Sequence, residues 1–392
     1  MKEPFEARSV GIGELNRQAV PQEQKQSARL NALDPLEGID ILDEYRVVRD
    51  LVEDGCPIVF VTGNAGSGKS TLIHYLRTVT TKKHAVVAPT GVAALNVNGV
   101  TIHSFFRLAP KINEDEDIKL VRNRKLYRKL ELLIVDEISM VRCDVMDSID
   151  KFLRKNRDDD RPFGGVQLLL VGDLFQLPPV VPRQEREVLS AKGYASPFFF
   201  SSFALQETSL VPVELTSVFR QNDSHFVDIL NQIRVGDDSE SATAEVNRRC
   251  YQQNDLNCDL TLTCTNSRAD AINRRELEQL PEQTYWFEGA LEGRFSLAND
   301  RLPSPIDLRL KKGARVMFTK NDEQRRWVNG SLGEVRELGQ GSIRVGLLGD
   351  GEDNVYDVLP VSWETFKYSY DETRDSIVAE AVGRYTQYPL ML

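Results

Sequence analysis

The chain of 392 residues carries 59 acidic and 49 basic side chains, a net charge of −10, with 41% hydrophobic and 28% charged residues. That is ordinary globular usage, and at roughly 100–200 residues per domain it predicts two or three soluble domains. The charge balance excludes a protein that coats nucleic acid by bulk positive field, while leaving room for a local groove. No apolar run approaches the roughly 20 residues of a bilayer crossing, and the polar N-terminus (MKEPFEARSV) is unlike a signal peptide, so no membrane is involved and a cytoplasmic protein is expected, nucleoid-associated in a bacterium. Cys56, Cys143, Cys250, Cys258 and Cys264 form neither a CxxC pair nor a tight Cys/His cluster, which argues against zinc and against a disulfide framework.

Residues 1–38 are rich in Gln and charge and read as a tail. From Pro57 four aliphatic runs follow, at 57–63, 84–91, 131–137 and 166–173, each ending in small, polar or acidic residues. They read as buried parallel strands. Helical stretches at 70–79 and 145–155 alternate with them, which predicts a doubly wound α/β domain closing near Val211, where the strand-like 209–216 begins. Within it, residues 113–129 flip from acid to base and read either as a solvated helix or as an arm facing nucleic acid. The second half suggests a strand and turn at 259–266, a helix at 267–280 and a strand and loop at 314–322. After Gly330, short alternating segments punctuated by glycine suggest a small antiparallel barrel.

The sharpest chemical signal is GNAGSGKS, residues 63–70, which fits G-x-x-x-x-G-K-S between a strand and a helix. Gly63, Asn64, Ala65, Gly66, Ser67 and Gly68 would curl the backbone so that its N–H groups, with Thr71 at the helix start, meet phosphate oxygens. Lys69 would reach the β- and γ-phosphates and Ser70 would ligate Mg²⁺. The strand ending in DEISM offers Asp136 to hold Mg²⁺ and Glu137 to orient and deprotonate a water. Gln176, in GDLFQLPPV, can contact a γ-phosphate; its bland reading is a proline-terminated loop.

Taken in order, GNAGSGKST, APTGVAALNVNGVTIHSFF (88–106), DEISM, GDLFQLPPV, LTSVFRQ (215–221), LTCTNSRADAIN (262–273) and KGARVMFTKNDEQRRWVNGSLGEV (312–335) resemble the Pif-one DNA helicases of superfamily one, the branch that includes RecD. The resemblance covers everything after the N-terminal tail. It implies an α/β P-loop NTPase with two RecA-like parallel-sheet domains plus a small SH3-like β-barrel insertion. The first domain spans 39–211 with a wedge-like insertion at 107–128, the second begins at 212–330, the barrel occupies 331–383, and 384–392 returns toward the second domain. It implies a monomeric ATP-dependent DNA helicase that moves 5′ to 3′ on single-stranded DNA, acts on forked or tailed duplex, uses ATP and Mg²⁺, and serves DNA repair and telomere maintenance.

Residue by residue, the resemblance gives Arg220 the role of an arginine reaching the γ-phosphate, with an ordinary surface ion pair as the alternative. Thr90, Gly91, Val92, His103, Phe105 and Phe106 match single-strand contacts of the first domain. Thr265, Asn266, Asn329 and Gly330 match those of the second. Short donors and backbone amides grip phosphates without large positive charge, which fits an acidic chain. For Phe105 and Phe106 a core aromatic pair is the competing reading. Two departures stand out: Tyr45 occupies the place of the family's adenine-reading glutamine, and the chain ends at RYTQYPLML, before the family's histidine-lysine-serine-glutamine-glycine motif and second arginine finger. The last strands of the second sheet are therefore expected to be missing. The alternative function is then a nucleotide-gated single-stranded DNA-binding module with weak or no helicase activity.

Overall fold

The computed structural model describes residues 9–11, 41–64, 66–216, 224–236, 239–250, 260–295, 302–324, 326–339, 341–349 and 354–392. They divide into two compact units, one of Ala32–Tyr251 with Thr365–Ala381, the other of Met1–Asn31, Gln252–Glu364 and Val382–Leu392. The short strand β1 (Ser9–Gly11), inside the expected tail, pairs in parallel with β8 (Tyr285–Glu288) of the second unit.

The first unit is built on a six-stranded parallel sheet. Its strands are β2 (Ile58–Gly63), β3 (His84–Ala88), β4 (Val100–Thr101), β5 (Leu132–Val135), β6 (Gln167–Val171) and β7 (Leu210–Leu215), in the spatial order β4-β3-β5-β6-β2-β7. The central strands are continuous aliphatic runs because helices cover both faces; β5 and β6 are buried along their whole length. One face packs α1 (Asp43–Glu53) and α2 (Lys69–Val79) through Tyr45, Val48, Leu72 and Leu76. The other packs α4 (Ile102–Phe106) and α6 (Cys143–Arg157), where Phe105, Phe106, Tyr127, Met146, Phe152 and Phe163 meet. Two further helices, α9 (Ser224–Val235) and α10 (Ser239–Cys250), follow β7 in the same compact unit, which therefore runs past the expected boundary at 211.

The acidic-to-basic run is not one solvated helix. It forms a 3₁₀ turn at Asp115–Asp117 and a short α5 (Lys125–Lys129). Ion pairs tie its charges to the long helix α6 and its end, as Asp115 meets Lys151 at 2.5 Å and Arg124 meets Asp158 at 2.9 Å. Also in this unit is the tip of a long hairpin, β15 (Val361–Asp371) and β16 (Ser376–Gln387). There the Val86 amide donates to the Tyr368 hydroxyl at 3.1 Å, the Tyr368 ring meets Phe105 edge-on, and Lys83 pairs with Asp375 at 3.1 Å.

The second unit begins differently from expectation. Residues 260–265 form no strand, and Leu262 is 89% exposed. Helix α11 (Asn266–Gln279) follows as predicted. Beyond β8, the strands β9 (Ala290–Gly293), β10 (Asp307–Leu310), β11 (Arg315–Phe318), β12 (Leu332–Gly339), β13 (Ser342–Leu347), β14 (Val355–Val358) and β17 (Leu390–Met391) pair antiparallel. Among the described residues of 212–330, β8 pairs with β1 and β10, and β11 joins the five-stranded order β14-β13-β12-β11-β17. That sheet encloses Phe318, Trp327, Val335, Val345 and Leu390. Among the described residues no helix is long and apolar enough to cross a membrane.

Candidate active site

The chain leaves β2 at Gly63 and enters α2 at Lys69, so the P-loop lies at the C-terminal edge of the sheet, where α/β folds place their ligands. Two glycines are dictated by geometry. A Cβ at Gly63 would stand 2.6 Å from Ser67 Oγ and 2.8 Å from the Leu215 carbonyl, and Gly68 holds φ +89° at the helix cap. Behind the loop, the Tyr45 hydroxyl donates to the Gly68 carbonyl at 2.8 Å, and its ring stacks against Tyr75. Tyr45 is buried. It braces the P-loop from the core and presents no polar group to a base.

Lys69 Nζ donates to the Gly63 and Asn64 carbonyls at 2.8 and 2.9 Å. Burial lowers its pKa, the carboxylates of Asp173, Glu137 and Asp136 pull it back up, and Arg234 pushes it down. Five ionisable groups therefore share one field. Asp136, at the end of β5, is buried, and burial followed by the charge of Glu137 pushes its carboxyl up to about 6. Glu137 sits at φ +49°, ψ +45°, a left-handed conformation for a non-glycine residue, at the start of the 3₁₀ turn Ile138–Met140. Such strain concentrates where a side chain must be aimed. On the next strand, Asp173 is buried and accepts from Gln176 Nε2 at 3.3 Å and from the Phe175 amide at 3.1 Å.

These residues fit a Mg²⁺–nucleotide. The hydroxyls of Ser67 and Ser139 are buried without a hydrogen-bond partner among the described residues, which marks groups placed for a ligand. A divalent cation beside Asp136 would hold its carboxylate ionised despite burial, and the Ser70 hydroxyl at the start of α2 is exposed to share it. Gly66 holds φ +81° in the loop, and Thr71 lies in the first turn of α2. Ala65 and Arg220 lie outside the described residues.

The candidate DNA contacts divide between the two units. In the first, Thr90 caps α3 (Gly91–Asn96), its hydroxyl accepting from the Ala93 amide at 3.2 Å, and Thr90 and Val92 are exposed beside Gly91. His103 is half-buried, and burial lowers its pKa, with Arg142 adding to the effect. Phe105 and Phe106 are not available for base stacking. Both are buried, edge-on to each other at 4.8 Å, with Tyr127 and Tyr368 around Phe105 and Phe152 against Phe106. In the second unit Thr265 and Asn266 open α11, exposed. Asn329 and Gly330 form an exposed turn in which the Asn329 amide donates to Asn321 Oδ1 at 2.7 Å and Gly330 takes φ +90°.

Sequence reasoning missed Arg234. It reaches the Asp173 carboxylate from α9, and the spacing Asn231, Arg234 on one helical face was the signal that could have found it.

A six-stranded parallel sheet with the P-loop after β2, a lysine among carboxylates and a polar loop after the next strand defines a RecA-like P-loop nucleoside triphosphatase unit. The chain belongs to the PIF1-like helicase family, whose model matches residues 42–244. It is 36% identical over 316 residues to the ATP-dependent DNA helicase PIF1 of Saccharomyces cerevisiae, covering 75% of this chain and 35% of that protein. With the ATP-dependent DNA helicase Pif1 of Bdellovibrio bacteriovorus it shares 31% over 328 residues, 81% of this chain and 72% of that one. The crystal structure of Bacteroides sp. Pif1 in complex with ADP-AlF4 matches with a TM-score of 0.79 at 35% identity, over 90% of this chain and 82% of that chain. The ssDNA-bound structure of Bacteroides Pif1 matches over the same shares at 35% identity with a TM-score of 0.56. The chain spans about a third to two-fifths of the length of the first curated relatives it matches.

Proposed function

We infer that this chain is an ATP-dependent DNA helicase that translocates 5′ to 3′ on single-stranded DNA and couples hydrolysis of Mg-ATP to unwinding of forked or tailed duplex. The observation that carries the reading is the convergence of Lys69, Asp136, Glu137 and Asp173 at the C-terminal edge of the parallel sheet. Lys69 binds the β- and γ-phosphates, and Glu137 accepts the proton of the attacking water. Gln176, tethered to Asp173, reports the terminal phosphate. Ser70 and Asp136 would hold Mg²⁺, which when bound neutralises phosphate charge. Arg220 is assigned to the γ-phosphate by its place in VFRQ. Thr90, Gly91, Val92 and His103 grip the strand from the first unit, and Thr265, Asn266, Asn329 and Gly330 from the second. Their short donors suit phosphate contacts that leave the base sequence unread. Relatives support the same reading, since Bacteroides Pif1 has been crystallised bound to ssDNA and another Pif1 structure concerns DNA unwinding at forked dsDNA by two coordinating helicases.

The test is steady-state ATP hydrolysis with and without single-stranded DNA, alongside strand separation on a 5′-tailed fork. DNA-stimulated hydrolysis and separation are expected. Binding of both ATP and DNA without stimulated hydrolysis or separation would overturn the helicase reading in favour of a nucleotide-gated binding module.

A further inference from the structure

Helix α9 touches both nucleotide-binding loops from one face. Asn231 Oδ1 accepts from Asn64 Nδ2 of the P-loop at 3.3 Å, and three residues on, Arg234 Nη2 donates to Asp173 Oδ1 at 2.8 Å. Residues three apart lie on the same side of a helix, so these contacts form one docking edge. The guanidinium also lies over the Phe175 ring, 4.5 Å from its centre, which fixes its plane. Asp173 is thus held between Gln176 and Arg234, with its charge almost wholly removed from water.

Two features exceed the needs of an ion pair. Arg234 Nε is buried and has no hydrogen-bond partner among the described residues, although a guanidinium normally spends its buried donors. The group is also close enough to act on Lys69 electrostatically, so the two cations work in the same field. Lys69 faces three carboxylates there, Asp173, Glu137 and Asp136, and without Arg234 a triphosphate would enter a cluster with one cation against three acids. Nucleotide phosphates need a surplus of positive charge and favour planar bidentate donors.

We propose that Arg234 is a further catalytic residue of the nucleotide site, a ligand of the terminal phosphate that makes the site prefer nucleoside triphosphate to diphosphate. Resting on the ATPase reading above, it adds a contact from α9 that is separate from Arg220. With Asp173 and Phe175 holding the guanidinium in place, little conformational freedom is lost when it meets the phosphate. The same contact draws the face bearing Asn231 toward the P-loop, so occupancy of the γ-phosphate position is felt along α9.

The test measures binding of a fluorescent nonhydrolysable ATP analogue and of fluorescent ADP to the full chain and to Arg234→Gln, Arg234→Lys and Lys69→Ala, with thermal melting of each. For Arg234→Gln the affinity for the triphosphate analogue is expected to fall about ten- to a hundredfold, with ADP affinity changed less than about threefold. Arg234→Lys, which keeps the charge but loses the fork, should recover part of the preference. Equal loss for both nucleotides, or a lowered melting temperature with the preference intact, would overturn the proposal and leave Arg234 as an ion-pair partner of Asp173. If Arg234→Gln does not fold, an unchanged preference in the folded Arg234→Lys variant would likewise overturn it. Lys69→Ala separates this from the underlying reading: if the parent chain binds neither nucleotide, or binds both as well without Lys69, the ATPase assignment falls together with the proposal.

Discussion

In the first unit the charged residues around the P-loop lysine are drawn inward. Asp136 and Asp173 are 6% and 1% exposed, Lys69 shares their field, and Arg234 is stacked and paired. In the second unit the candidate residues Thr265, Asn266, Asn329 and Gly330 all stand at the surface, on a helix start and on a turn, and the buried polar chemistry there is local bracing. Gln387 Nε2, for example, donates to the Phe287, Pro305 and Ile306 carbonyls at 2.9 to 3.0 Å. Desolvated charges gain strength from a low dielectric and can hold and strain a phosphate. Exposed short donors bind a backbone weakly and release it easily, as a translocating grip requires. Chemistry should therefore depend on the first unit and DNA affinity on both.

The largest expected effect tests that division at its chemical end. Lys69→Ala should reduce ATP hydrolysis by about a thousandfold or more, since no neutral side chain replaces a point charge at the β- and γ-phosphates. Glu137→Gln should lose turnover while still binding nucleotide. Measured in the absence of DNA, Asn329→Ala should leave basal hydrolysis unchanged; a matching loss there would erase the distinction between the units.

Next in size is the aromatic cluster. Phe106→Ala should cost about 3–5 kcal/mol of stability in urea unfolding, because the ring is 1% exposed and packs on Phe105 and Phe152. Single-stranded DNA affinity of the folded fraction should change little. Loss of DNA affinity without loss of stability would restore the stacking role.

How far these assignments were legible depends on what each residue packs against. The strands β2, β3, β5 and β6 were readable because burial on both faces demands unbroken aliphatic runs, and the P-loop because its glycines are forced by φ and by close approach. Phe105 and Phe106 were ambiguous for a physical reason: an aromatic pair has the same sequence signature whether it faces bases or Tyr127, Phe152 and Tyr368. Tyr368 lies far along the chain, and only the fold brings it there. Residues 259–266 misled because Leu260 and Leu262 alternate as in a half-buried strand, yet both are exposed. Arg234 was passed over because its partner Asp173 is 61 positions away.

A smaller effect sharpens the DNA side. His103→Ala in the first unit and Asn329→Ala in the second should each weaken single-stranded DNA binding by roughly three- to tenfold, the scale of one hydrogen bond. The salt dependence should remain modest in both, as few phosphates are neutralised by full charges. A steep slope shared with duplex DNA and untouched by either substitution would point to a diffuse basic surface instead of two grips.

The smallest effect uses the histidines, all four of which, His74, His84, His103 and His225, fall in the first unit. His84 opens β3 with Nδ1 3.0 Å from the Lys82 carbonyl, and burial, with a lesser push from Arg77, lowers its pKa below the ordinary 6.5. A group whose folded pKa is depressed gives stability that is fully present above the unfolded value and is lost as pH falls toward the folded one. The first unit should therefore weaken as pH drops from about 7.5 through the ordinary imidazole range near 6.5, where the unfolded chain takes up the proton first. Asp136 acts in the opposite sense, since a carboxyl raised to about 6 costs stability as pH rises through that value. Comparing urea midpoints of the parent and His84→Gln between pH 7.5 and 6 isolates the imidazole contribution, because Asp136 is common to both. The parent should lose more stability than the variant over this interval, in the transition that reports the first unit. Equal losses would mean that His84 keeps its ordinary pKa in the folded chain and that the buried start of β3 admits its charge.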